Sequence, residues 1–286
     1  MTLSLAEKLP DGSGKAGIRV WLKSSGYARR LLLGEAGDPW LNAASYLAFF
    51  SQAHGLLRPD VAVLDVDELL ASWASRHPDL LTEMASKRRT TFPLRKLLEA
   101  TGPRELLAET LTAVDGCLRG QAPAVLSLPT PRRWLALANG MVGRDDVDIE
   151  ADDIEDAAMY VADFLRALAA APVGGIVLDD QGMAAQVGDA ERCRSIVNIA
   201  RHYRWGIVWR TNGDADSIGA MVPVVDGVIS ASPVPGMDKP LGIDVTTDLW
   251  ADGGMPSLSS GQFYFAEIPA DQVPETVLEK LGLLRG

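Results

Sequence analysis

Residues 206–213 are Gly206-Ile207-Val208-Trp209-Arg210-Thr211-Asn212-Gly213. The first four form a short apolar run without polar alternation, which is typical of a strand buried on both faces of a parallel sheet. Arg210 and Asn212 follow where this strand ends. Because active sites of parallel barrels lie at the carboxyl ends of their strands, the segment predicts both a buried parallel strand and a candidate site beside it.

The same pattern, a short apolar run that ends in polar residues, recurs along the chain. It is clear at residues 18–23, 61–65, 124–127, 176–179, 207–210 and 228–230, and weaker at 242–246 and 262–267. Eight such runs are what a closed (β/α)8 barrel needs.

Helical patterns lie between the early strands. Asp38-Pro39 is typical of a helix start and predicts a helix to about residue 57. Asp152 with Glu155 indicates a capping box before another amphipathic run. Alternating strands and crossover helices predict a parallel sheet.

Strands and helices no longer alternate regularly in the last quarter of the chain. Residues 232–240 are rich in proline and glycine, and neither they nor residues 251–260 have a helical pattern. We therefore predict a single α/β domain over residues 1–286, a (β/α)8 TIM-like barrel that is irregular in its last quarter. A doubly wound open sheet is the alternative.

Composition narrows the choice of partners. The formal net charge is -11 at pH 7, which repels a nucleic-acid backbone and offers no attraction to an anionic membrane. We expect no nucleic acid and no membrane as partners, and a small anionic substrate held by local cations. Tryptophans in or near predicted loops could cover a homodimer interface or simply pack: Trp73, Trp134 and Trp250.

The chain is expected to be cytoplasmic. Cys117 and Cys193 both lie within helical patterns, which favours neither a disulfide framework nor a thiolate metal site. Residues 1–15 lack the apolar core of a signal peptide, and no apolar run approaches the length of a membrane span.

Polar residues at or just after the predicted strand ends are the candidate site residues. They are Lys23, Asp65, Asp67, Ser127, Thr130, Arg132, Asp179, Asp180, Gln181, Arg210, Asn212 and Asp244. Polar residues also occur at strand ends because the chain leaves the core there. The set as a whole is therefore more informative than any one member.

One residue of the pair Asp179 and Asp180 is the predicted catalytic acid or base. Adjacent strand residues point to opposite faces, so only one can face the site, and the sequence leaves open which. Arg210, with Asn212 beside it, suits recognition of a carboxylate or phosphate by the guanidinium fork. An ion pair between Arg210 and a strand-end aspartate is the equal alternative.

Four further residues complete the predicted substrate-binding set, namely Lys23, Asp65, Ser127 and Arg132. Ser127 and Arg132 belong to an anion-compatible segment, whose prolines could instead mark a rigid loop.

We expect neither a cofactor nor a bound metal. Gly12, Gly14 and Gly17 match the spacing of a dinucleotide-binding loop, but a strand and not a helix follows them. The three histidines have no partner at metal-ligand spacing.

Three segments of the sequence resemble a known family, namely residues 20–22, 58–63 and 206–213. They resemble the barrel superfamily of uroporphyrinogen decarboxylase and cobalamin-independent methionine synthase. Its methyl- and alkyl-transferring members have His-x-Cys-Gly where Arg210 and Asn212 stand here. Neither side chain can replace imidazole and thiolate around Zn²⁺, so the resemblance implies no zinc-thiol chemistry.

The decarboxylase branch of that superfamily places two arginines after Trp-Leu to hold substrate carboxylates. Here Trp21-Leu22 precedes residues 23–30, which keep the basic character but not the spacing. What the resemblance implies is a pocket in which cations hold a carboxylate while an aspartate acts as a general acid or base.

The leading hypothesis is a cofactor-independent lyase that decarboxylates, or otherwise cleaves a C–C bond in, a small carboxylated metabolite. One alternative is a methyl or alkyl transferase of the methionine synthase type with altered metal use. Another is a non-catalytic barrel that serves as a partner or binding subunit.

Overall fold

A computed structural model describes residues 2–11, 17–183, 186, 188–232, 234 and 237–286. Eight parallel strands form one sheet in the order β1-β8-β7-β6-β5-β4-β3-β2. They are β1 (Val20–Lys23), β2 (Ala62–Asp65), β3 (Ala124–Pro129), β4 (Gly175–Asp179), β5 (Gly206–Arg210), β6 (Gly227–Ser230), β7 (Leu241–Asp244) and β8 (Gln262–Glu267). The predicted (β/α)8 TIM-like barrel is confirmed.

Helices pack outside the sheet, except for the first, which lies at one end of the barrel. They are α1 (Leu5–Lys8), α2 (Ser25–Leu33), α3 (Ala43–Leu57), α4 (Val66–Arg76), α5 (Pro78–Ala85), α6 (Phe92–Glu99), α7 (Thr101–Leu118), α8 (Pro131–Gly140), α9 (Ala151–Arg166), α10 (Asp189–Arg192), α11 (Arg194–His202), α12 (Ala215–Met221), α13 (Thr246–Trp250) and α14 (Pro274–Arg285). Short 3₁₀ turns occur at Pro39–Leu41 and Val222–Val224. None of the described helices is long and apolar enough to cross a membrane.

The barrel interior is an apolar core built from alternate strand residues. It contains Trp21, Val61, Val125, Val177, Val208, Ile229, Phe263 and Phe265. Because side chains alternate along a strand, the residues two positions beyond Trp21, Val177, Val208 and Phe265 share this inward face. Lys23, Asp179, Arg210 and Glu267 are thereby brought to one end of the barrel, which we call the mouth.

Helix α1 closes the opposite end. Leu5 is fully buried among the interior side chains, and its backbone N–H donates to Gly174 O at 2.9 Å. A Cβ on Gly175 would lie 2.7 Å from the Leu5 side chain, so glycine is needed for this close approach. In the part of the chain described, the barrel is therefore closed at the amino ends of its strands.

The junction between β1 and β2 differs from the other seven. No strand ladder joins these two strands in the described chain. Instead Asp60 Oδ2 accepts hydrogen bonds from the N–H groups of Arg19 and Val20, both at 2.8 Å. One carboxylate thus bridges the strands at their amino end, and we call this junction the seam.

Two predicted helix starts are placed differently by the structure. The stretch after Asp38 forms only a 3₁₀ turn, because Asn42 is extended and its side-chain oxygen accepts from Ser45 N at 2.9 Å, which starts α3 afresh. The capping box of α9 is formed by Glu150 and Asp153 instead of Asp152 and Glu155.

The last quarter is irregular, as predicted. The described residues between β6 and β7 contain no helix, and α13 between β7 and β8 has five residues.

Trp134 lies buried within α8 and not in a loop. Gly12 and Gly14 of the glycine-rich segment lie outside the described residues.

We expect Asp60→Ala to lower the free energy of unfolding by about 2 kcal/mol, because two strand N–H groups lose a charged acceptor. Asp60→Asn keeps one acceptor oxygen, so its free energy of unfolding is expected to lie between those of Asp60→Ala and the wild type. Urea denaturation measures both. Asp146→Ala, in an exposed loop, is the control; a seam variant no less stable than this control would contradict the bridging role.

Candidate functional site

Arg210 is the centre of an ion-pair cluster at the mouth. Its Nη1 lies 3.3 Å from Asp179 Oδ2 and 3.0 Å from Glu267 Oε2, and its Nη2 lies 3.2 Å from Asp244 Oδ2. The guanidinium carbon lies 4.4 Å from the ring centroid of Phe265, at cation–π distance. Burial alone would lower the pKa of Arg210, but the three carboxylates raise it above its ordinary value.

The carboxylate of Asp179 joins this cluster from β4. Its Oδ2 also lies 2.8 Å from Lys23 Nζ, and its side chain is 2% exposed. Burial would raise the pKa of this carboxyl, but Lys23 and Arg210 hold it below its ordinary range. Asp179 is therefore a permanently charged anchor for two cations near neutral pH.

Asp180 lies on the other side of the strand. Asp180 is buried, and the pKa of the Cys193 thiol is raised first by burial of the thiol, then by Asp189 and then by Asp180. Cys193 packs in the helical layer outside the sheet. Of the two adjacent aspartates, it is thus Asp179 whose carboxylate lies in the mouth.

Gln181 ties Lys23 to Arg133 of α8. Its Oε1 accepts from Lys23 Nζ at 2.9 Å and from Arg133 Nη2 at 2.6 Å, while its N–H donates to Asp179 Oδ1 at 3.0 Å. Its φ of 22° lies in a region that residues other than glycine seldom adopt. These three hydrogen bonds hold Gln181 in that conformation and fix the position of both cations.

A cavity of about 290 Å³ opens beside the cluster, and we call it the mouth cavity. Its lining consists of Lys23, Ser25, Gly26, Asp65, Asp67, Glu68, Gln181, Glu267, Ile268, Pro269 and Ala270. One ammonium group therefore shares this space with four carboxyl groups.

Two of these carboxyl groups have a raised pKa, so that each is partly protonated close to neutral pH. Burial first, and Asp65 second, raise the pKa of Asp67 to about 6 and that of Glu68 to about 7. Both residues lie in the first turn of α4, and Ser25 Oγ donates to Glu68 Oε1 at 2.8 Å. Their partial protonation makes them suited to acid–base chemistry.

The structure does not bring every predicted site residue to this cavity. Asn212 is exposed, and Arg132 forms a two-pronged ion pair with Asp189 and also contacts Gln186. Ser127 is buried within β3, which continues to Pro129, and Asp65 is buried in the cavity lining. The roles predicted for these residues stay predictions.

Two acidic residues of the site were not among the sequence candidates. Glu267 ends β8, and the rule applied to the other strands would have found it. Glu68 lies one residue beyond the candidate Asp67, inside a helix, where strand-end reasoning does not apply. Among the described residues, no group of three or more His, Cys, Asp or Glu side chains is arranged to hold a metal ion.

Comparison with known proteins gives little beyond the fold. No protein-family model and no curated protein matches the chain. An oxaloacetate acetylhydrolase structure matches all of this chain and 87% of its own, at 14% identity and a TM-score of 0.43. The apo form of 3-keto-D-glucoside 4-epimerase from E. coli matches 64% of this chain and 86% of its own, at 12% identity and a TM-score of 0.37. We take no activity for this chain from either protein.

The resemblance to the uroporphyrinogen decarboxylase and methionine synthase superfamily is wrong. No family model matches the chain, that superfamily's included, and neither of the solved structures reported above is described as one of its members. The phrases at residues 20–22, 58–63 and 206–213 lie on or next to β1, β2 and β5. Short apolar strands are required by any parallel barrel, so such phrases indicate the fold and not the family.

We expect Arg210→Met to lower the free energy of unfolding at pH 7 by about 3 kcal/mol, because it leaves buried carboxylates unpaired. The pKa of Asp179 is depressed, so this stabilisation is present above about pH 4 and is lost as the pH falls further. Denaturation at pH 7 and pH 3 measures the difference. The control Arg194→Met removes an exposed ion pair and should change little; equal losses at both pH values would refute the charge-pairing account.

We expect Glu68→Gln to stabilise the protein at pH 8 by about 1 kcal/mol and to leave it unchanged at pH 4. The raised pKa means that the native state holds this proton more tightly than the unfolded chain, so stability falls as pH rises from about 4.5 to about 7. The amide still accepts from Ser25. Thermal unfolding between pH 4 and pH 8 tests this prediction, with the exposed Glu105→Gln as control. Parallel profiles of stability against pH for the wild type and Glu68→Gln would contradict the raised pKa.

Proposed function

We propose that the mouth cavity is the active site of a lyase that cleaves a C–C bond in a small carboxylated metabolite by decarboxylation. The observation that supports this proposal is that one cavity holds the ammonium group of Lys23 together with the carboxyl groups of Asp67 and Glu68. A fixed cation and a carboxyl that is partly protonated near neutral pH are the two groups that such a reaction needs.

Lys23 is the proposed hydrogen-bond donor that stabilises the developing negative charge. Loss of CO2 requires a group that accepts the electron pair of the broken bond, and an oxo group on the 3-position of the acid does so. The Lys23 ammonium, held by Asp179 and Gln181, donates a hydrogen bond to that oxo oxygen and stabilises the negative charge that develops on it.

Glu68 is the proposed proton donor. The electron pair of the bond between carbon 2 and the carboxyl carbon passes into the enolate, and CO2 leaves. Carbon 2 then takes the proton of the Glu68 carboxyl, and solvent returns a proton to Glu68. Asp65 and Glu267 also line the cavity, and their repulsion of the substrate carboxylate is relieved as CO2 departs.

Arg210 has a positioning role in this proposal. Three carboxylates of the protein already contact its guanidinium and balance its charge, so Arg210 does not bind the substrate carboxylate in this proposal. It holds Asp179, which in turn holds Lys23. The transferase alternative rested on the superfamily resemblance and ends with it. A non-catalytic binding barrel is the remaining alternative, and the experiment below separates it from the lyase.

The test is CO2 release from a panel of small 3-oxo carboxylates, with binding followed in parallel by calorimetry. We expect Glu68→Gln to lower kcat at least 100-fold, in line with the loss of a general acid. In the wild type, kcat/KM should fall as the pH rises through about 7, since only the protonated form of Glu68 can donate. Lys23→Met should lower kcat/KM by a similar factor.

Glu105→Gln and Lys87→Met, both at exposed positions, are the matched controls and should leave turnover unchanged. Binding of the acids without turnover would favour the binding barrel over the lyase. Turnover that survives in Glu68→Gln with the same pH profile would refute the assignment of the proton donor.

A further inference from the structure

A second, smaller cavity lies behind the seam. It has a volume of about 50 Å³ and lies between the β1–β2 junction and helix α3. Apolar and aromatic side chains form most of its wall, among them Leu22, Ala28, Tyr46, Phe49, Phe50 and Ala53. We call it the seam cavity.

The seam cavity adjoins the mouth cavity. Ser25 and Asp65 line both of them. Asp65 ends β2 on the inward face, and Ser25 begins α2 just after β1. The two cavities therefore meet at the carboxyl end of the seam, next to the proposed proton donor Glu68, which accepts a hydrogen bond from Ser25.

The reason for this opening is the missing ladder between β1 and β2. Elsewhere in the described barrel, hydrogen bonds between neighbouring strands close the wall. At the seam, Asp60 bridges the strands only at their amino end. The wall is thus open between the mouth and α3, at the level where the proposed chemistry takes place.

The seam cavity suits an uncharged group. Burial, followed by the charges of Asp65 and Glu68, raises the pKa of Tyr46, and burial lowers that of His54, so both side chains are neutral at pH 7. A water molecule needs roughly 10–15 Å³ of such space, so the cavity has room for a chain of about three or four heavy atoms.

We infer that the substrate carries a short apolar chain, which enters the seam cavity while its polar end reacts in the mouth cavity. This inference rests on the proposed function for the polar end. The apolar wall, the size of the cavity and the shared boundary at Ser25 and Asp65 carry it. Ordered water is the competing occupant.

The first measurement tests the seam cavity independently of any reaction. Crystals of the wild type under xenon pressure should show one xenon atom between Phe49 and Ala53, because dry apolar cavities bind xenon. Ala53→Leu fills this space and should abolish the xenon peak. Ala48→Leu, on the exposed face of the same helix, is the control and should keep it. Ordered water and no xenon in the wild type would overturn the inference.

The second measurement connects the two cavities. Calorimetric titration with acetate, propionate, butyrate and octanoate should show binding that tightens about fourfold for each added CH2 up to butyrate, with no further gain for octanoate. Ala53→Leu should remove this dependence on chain length, and Ala48→Leu should retain it. An unchanged dependence in Ala53→Leu, or equal affinities across the wild-type series, would refute the inference.

The two measurements separate the two proposals. Xenon in the seam cavity together with no binding of any carboxylate would leave the apolar pocket standing and reject the proposed function. Carboxylate binding that does not depend on chain length, without xenon in the seam cavity, would reject the pocket and leave the proposed function standing.

Discussion

The buried guanidinium of Arg210 is the interaction on which the mouth of this barrel depends. A cation removed from water is costly, and it persists only where carboxylates surround it closely. Asp179, Asp244 and Glu267 provide these carboxylates from three different strands, and Phe265 supports the guanidinium from below. Asp244 is itself held by Thr246, whose N–H and hydroxyl both donate to it. A fixed charge thus links β4, β5, β7 and β8 at the mouth of the barrel.

The balance of charge at the mouth sets its chemistry. Six carboxyl groups, from Asp65, Asp67, Glu68, Asp179, Asp244 and Glu267, share three nearby cations, Lys23, Arg133 and Arg210. Lys23 and Arg210 contact Asp179 directly and hold its pKa below its ordinary range. Asp67 and Glu68 receive less compensation and are buried beside Asp65, which raises their pKa. The same arrangement therefore produces a charged anchor, Asp179 at the end of β4, and the proposed proton donor, Glu68 in the first turn of α4.

Much of the fold could be predicted from the sequence, because buried parallel strands are continuous apolar runs whose limits polar residues mark. All eight strands lie within two residues of the predicted ranges. The helix expected after Asp38 could not be predicted correctly, because Asn42 caps a new helix from an extended conformation. Strand alternation could predict that Lys23, Asp179 and Arg210 converge, but not that Arg210 would be saturated by carboxylates. The role of Glu68 depends on burial and on Ser25, 43 residues away, which no local pattern shows. The family resemblance failed because its phrases were strand patterns shared by barrels in general.

Burial beside Asp65 raises the pKa of Glu68 to about 7, while Lys23 and Arg210 hold the pKa of Asp179 below its ordinary range, and the proposed chemistry requires this contrast. The most direct test is an NMR titration of the side-chain carboxyl carbons in the native protein. We expect Glu68 to titrate near pH 7 and Asp67 near pH 6, while Asp179 stays ionised below the ordinary range of an aspartate. Titration of both Asp67 and Glu68 near their ordinary values, close to pH 4, would contradict this expectation.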